Sequence, residues 1–65
     1  MIKVTRLNNT AFWLNPHMIE LIDQKPDTTI TLNSGKLLIV KESPEEIFDE
    51  IVVYRQKLWP FGNEK

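Results

Sequence analysis

The stretch Thr28–Glu46, TTITLNSGKLLIVKESPEE, decides the fold, because each of its parts has a visible physical cause. Thr28, Ile30 and Leu32 fall on one face of an extended chain, and Thr29 and Thr31 on the other. That is the period-2 pattern of a half-buried strand. Asn33-Ser34-Gly35 supplies turn chemistry: Asn tolerates the left-handed region and bonds its own backbone, and Gly takes positive φ without steric cost. Leu37-Leu38-Ile39-Val40 follows without alternation and predicts a strand buried on both faces. Ser43-Pro44-Glu45-Glu46 is a helix start. Ser43 caps the first free amides, Pro44 suits the first helical position, and Glu46 stands where a capping box needs it.

The helix is expected over 44–58. Ile47, Ile51, Tyr54 and Leu58 recur at helical spacing, and Phe48 and Val52 widen that stripe to a core-facing width. Glu45, Glu46, Asp49 and Glu50 lie toward its N-terminus and Arg55 and Lys57 toward its C-terminus, which complements the helix dipole. Pro60 and Gly62 end it, and 59–65 form an aromatic tail expected to be flexible.

Upstream, Ile2, Val4 and Arg6 alternate with Lys3, Thr5 and Leu7 and predict a first strand over 2–6. Asn8-Asn9-Thr10 is a polar turn. Ala11–Leu14 reads as a second strand, with Phe12 and Leu14 opposite Trp13. Asn15-Pro16 breaks it, since Pro cannot donate to a ladder. His17–Lys25 reads as a third strand, with Ile19 and Leu21 on one face and Met18, Glu20 and Ile22 on the other. A helical turn over 16–22 competes, because Asn15-Pro16 also starts helices. Pro26-Asp27 then turns the chain into the central hairpin.

A chain of 65 residues is one domain with a small core. It has no cysteine, so neither a disulfide nor a thiolate metal site reinforces it. Oligomerisation is the remaining common remedy. The start, Met1–Arg6, reads as a charged strand and not as the apolar core of a signal peptide. No apolar run reaches the roughly 20 residues of a membrane span. These features, with the missing cysteines, fit a cytoplasmic protein. A net charge of −1 and a pI near 5.7 argue against a nonspecific nucleic-acid binder.

No catalytic constellation emerges. His17, the single histidine, lacks a nucleophile and an orienting partner, because Ser34 and Ser43 are explained by turn and cap. The acids at the helix start lack the spaced oxygen ligands of a calcium loop. Gly35 and Gly62 are isolated, so there is no phosphate-cradling loop. Lys3, Arg6, Lys36 and Lys41 read as scattered solvating charge rather than an RNA patch. No enzyme activity, metal or cofactor is expected. With the helix on one face of the sheet, the other face would expose Trp13, Met18, Ile22, Leu37 and Ile39, which makes them candidates for self-association. Trp59 and Phe61 are candidates for a partner contact or a peripheral membrane contact. The plainer alternative folds Trp59 back onto the sheet.

Three blocks carry a family resemblance: Met1–Asn8, Pro26–Leu32 with Gly35-Lys36, and Val40–Ser43 before Glu46. In this order and spacing they resemble the FlbD/SwrD family of small bacterial flagellar proteins, over about residues 1–56. The resemblance implies a cytoplasmic flagellar accessory protein associated with swarming. It also implies a role in raising flagellar motor power, with motor or stator proteins as partners, and no known active site. A second, weaker resemblance, in Met1-Ile2, Val4-Thr5-Arg6 and Glu45-Glu46-Ile47 with Ile51, is to the CsrA family of RNA-binding translational regulators. There Thr5 and Arg6 would contribute to an RNA surface. The chain departs from that family in lacking its glycine-containing RNA-contacting loop and the basic residue before its helix.

The expected fold is therefore α+β, mainly β: a small five-stranded antiparallel β-meander followed by one C-terminal α-helix, all within residues 1–58. The expected assembly is a homo-oligomer.

Overall fold

Two hairpin turns of the same construction set the register of the strands. In the first, the Arg6 N–H donates to the Thr10 carbonyl (2.8 Å) and the Asn9 N–H to the Arg6 carbonyl (2.9 Å). In the second, Leu32 and Lys36 make the equivalent closing bond (2.8 Å), and the Gly35 N–H donates to the Leu32 carbonyl (2.8 Å). Both are three-residue loops whose last residue has positive φ, 72° at Asn9 and 93° at Gly35. Asn and Gly are the residues that reach this region at least cost. The Asn8 and Ser34 side chains each accept from the backbone two residues on.

The computed structural model describes residues 1–58. It contains β1 (Ile2–Thr5), β2 (Ala11–Leu14), β3 (Ile19–Gln24), β4 (Thr28–Leu32), β5 (Leu37–Val40) and α1 (Pro44–Leu58). All strand pairs are antiparallel, and the chain is mainly β. The meander divides into two sheets, β1-β2 and β3-β4-β5. Asn15 and a single 3-10 turn at Pro16–Met18 separate them. The third strand therefore begins at Ile19, which corrects the strand expected from His17. The competing helical turn holds for Pro16–Met18, where Asn15 caps the turn by accepting from the His17 N–H (3.0 Å).

β3 also breaks phase. Its register against β4 advances two residues, from Ile19 to Leu21, while β4 advances one, from Leu32 to Thr31. The additional residue, Glu20, is a bulge, and it flips every later side chain. Ile22 therefore joins Ile19 against the core, and Leu21 turns outward. This corrects the alternation that placed Ile22 with Met18 on the far face. β5 differs from expectation too. Leu38 and Val40 are buried while Leu37 and Ile39 are exposed, so only one face of β5 is covered.

The core is Ile2, Val4 and Leu14 from the first sheet, Ile30, Leu38 and Val40 from the second, and Ile47 from α1. The helix starts as its capping box dictates: the Ser43 N–H donates to the Glu46 carboxylate (2.8 Å), and the Glu46 N–H to the Ser43 hydroxyl (3.1 Å). Ile47, Ile51 and Tyr54 face the sheets. Phe48 and Val52 do not, which corrects the wider stripe: Phe48 is 63% exposed. Leu58, at the end of the core-facing line, is exposed as well. A helix of 15 residues is longer than the strands of four to six residues beneath it. Trp59 and Phe61 lie outside the described residues.

Candidate interaction surfaces

The polar side chains gather where the sheets meet. β1 runs past its last pair with β2 and meets the end of β5: Arg6 bridges to Val40, and the Lys41 N–H donates to the Thr5 carbonyl (2.8 Å). Glu42 closes the seam, its two oxygens accepting from the Thr5 N–H (2.9 Å) and the Thr5 hydroxyl (2.8 Å). Burial acts to raise the Glu42 pKa, but the two Thr5 bonds outweigh it and hold the carboxyl below its ordinary value of 4.5. The Lys41 ammonium bonds the Asn9 side chain, and the Arg6 guanidinium stacks 4.1 Å over the Phe12 ring. Thr5 thus ties the seam, and Arg6, itself exposed, covers the Phe12 ring. Sequence reasoning missed Glu42, because its partner is 37 residues away.

The apolar surface divides into separate parts. On the outer face of the three-stranded sheet stand Leu21, Leu37 and Ile39, with Thr29 and Thr31 between them on β4. Leu21 belongs there only because of the bulge, so strict alternation hid it. Met18 is exposed on the 3-10 turn, which is tied to the second hairpin by the Asn33 N–H donating to its carbonyl (2.8 Å). Ile22, packed against the core, contributes little to this face. Trp13 is 62% exposed but belongs to the other sheet. It lines a groove of about 200 Å3 with Met1, Lys3, Glu50, Val53 and Lys57. Along α1, Phe48 and Val52 form an exposed apolar row one turn apart.

A second cleft, of about 320 Å3, opens between the 3-10 turn and α1. There His17 meets Tyr54 edge-on, with ring centroids 5.9 Å apart. Arg55 lies on its rim. Among the described residues, the cleft's lining contains no carboxylate, and its one hydroxyl is the phenol of Tyr54. Among the described residues, no three His, Asp or Glu side chains cluster as metal ligands. No described helix is long and apolar enough to cross a membrane.

A family model described as FlbD, flagellar and swarming motility proteins, matches residues 1–59. The chain belongs to the FlbD family. The match takes in both sheets, the seam and all of α1. Membership in FlbD gives the chain a role in flagellar and swarming motility. No curated protein and no solved structure matches the chain. Nothing found supports the CsrA reading of Thr5 and Arg6.

Proposed function

We propose that this chain supports swarming as a non-enzymatic accessory of the flagellar motor, raising motor power by protein contact with motor or stator components from the cytoplasmic side. One observation carries the reading. Among the described residues, eleven large apolar side chains are exposed, beside seven that are buried and six partly buried ones packed against them. Surface of that extent on so small a domain marks an interaction protein. Two parts of it are free of core duties, the Leu21–Leu37–Ile39 sheet face and the Phe48–Val52 helix row. The sheet face, apolar at Leu21, Leu37 and Ile39, suits a second copy. The helix row suits a groove on a motor component.

Single-motor torque in tethered cells lacking the protein, with flagella counted in the same cells, tests this function. Low torque at normal flagellar number is expected. Normal torque with altered flagellar number would overturn the motor reading.

A further inference from the structure

We infer that the cleft between the 3-10 turn and α1 receives an acidic segment of a partner protein, a carboxylate side chain beside an apolar one. Both walls are held in place by the fold. On the side of the turn, the Asn15 side chain accepts from the His17 N–H (3.0 Å). Asn33 ties the same turn to the second hairpin, its side chain donating to the His17 carbonyl (3.3 Å) and its N–H to the Met18 carbonyl (2.8 Å). Ile19, and Ile51 and Tyr54 on α1, are packed against the core. A site built this way gives up little freedom when it is filled. Pro16, the two isoleucines and the edge-on His17–Tyr54 pair make the lining apolar and aromatic, and Arg55 adds a permanent charge.

Charge selects the occupant. No carboxylate among the described residues lines the cleft, and Arg55 is its one charge with His17 neutral, so it carries +1 on a chain of −1. The positions three and four residues either side of Arg55 are Ile51, Val52, Leu58 and Trp59, none of them acidic. The nearest acid before it, Glu50, lines the Trp13 groove instead. A carboxylate is the group whose geometry and single charge match one guanidinium. A nucleic-acid backbone is a poor match, because a chain of net negative charge repels a polyanion. The volume, about 320 Å3, lies at the low end of the roughly 300–1,000 Å3 of small-molecule sites. It suits the side chains of a segment lying across the cleft better than a ligand enclosed in it. The inference goes beyond the motor reading and stands on the cleft alone.

His17 is the single histidine of the chain, so its ring resonances in an NMR spectrum report on this cleft. The purified full chain is titrated with a short amidated peptide of alternating leucine and glutamate, and with its leucine–glutamine counterpart. Saturable shifts of the His17 ring are expected with the first peptide, at an affinity about tenfold above the second, as a charge-assisted hydrogen bond contributes. Arg55→Gln should remove that difference. Arg55→Glu should reverse it in favour of a leucine–lysine peptide, an effect that no loss of folding can imitate. Lys57→Gln, at the Trp13 groove, should leave it unchanged. The absence of a saturable shift would overturn the proposal, as would equal binding of the first two peptides or an equal loss with Lys57→Gln. Hexanoate binding as tightly as the glutamate peptide would overturn it in favour of a small carboxylate. Shifts of His17 on concentrating the protein alone, removed by Arg55→Gln, would overturn it in favour of a second copy.

Discussion

Glu42 shows how one residue reaches across the molecule. Its carboxylate takes both the N–H and the hydroxyl of Thr5, and so fastens the segment before α1 to the end of β1. Because the folded-state pKa lies below the ordinary value, this contribution to stability is fully present above about pH 4.5. It is lost as the pH falls through the lowered folded value. Hydrogen bonds to a charged group are worth about 1.5–3 kcal/mol when sheltered. Glu42 is only half-buried, so Glu42→Gln should cost about 1 kcal/mol at neutral pH. Thermal unfolding of the two proteins across pH checks this: the gap should close between about pH 4.5 and the acid limit. A gap that stayed constant with pH would show that the charge plays no part.

At the scale of the element, α1 combines a strong local start with a narrow buried line. The cap forms from four consecutive residues and owes nothing to the rest of the fold. The packing, by contrast, separates neighbours that look alike in sequence. Ile47 is fully buried, whereas Phe48 is mostly exposed. Ile47→Ala should cost about 2–5 kcal/mol by leaving a cavity among Val4, Ile30 and their neighbours. Phe48→Ser, the larger truncation, should change stability by no more than about 0.5 kcal/mol. Chemical denaturation of both variants decides the matter. A large loss at Phe48 would mean that its ring is covered in the folded protein. β3 carries the same lesson: its apolar residues name it as a strand, and the bulge at Glu20 decides which of them enter the core.

For the whole molecule, we propose the outer sheet face as the contact with a second copy. Leu37 is 61% exposed, and Ile39 and Leu21 stand beside it with only threonines between. A second copy placed there would give the assembly the apolar burial that a 65-residue chain lacks alone. Leu37→Glu with Ile39→Glu should convert an oligomer to a folded monomer. Neither side chain lies in the core, so the circular dichroism spectrum should be unchanged. Sedimentation of wild type and variant makes the comparison, and a wild-type monomer at micromolar concentration would remove this interface.

By itself the sequence determined the elements whose causes are local. The Asn33-Ser34-Gly35 turn, the Ser43–Glu46 cap, the bounds of β2, β4 and α1, and the mainly β architecture follow from propensity, positive φ and period-2 alternation. The three sequence blocks likewise sufficed to place the chain in its family. Only the tertiary structure decided what depends on who faces whom. It divided the strands into two sheets, moved Ile22 inward and Leu21 outward, and left Phe48 and Val52 uncovered. It also joined Thr5 to Glu42 and set Trp13 over its own groove. A bulge shifts phase without changing composition, and a seam joins residues far apart in the chain. Neither leaves a periodic trace in the order of the amino acids.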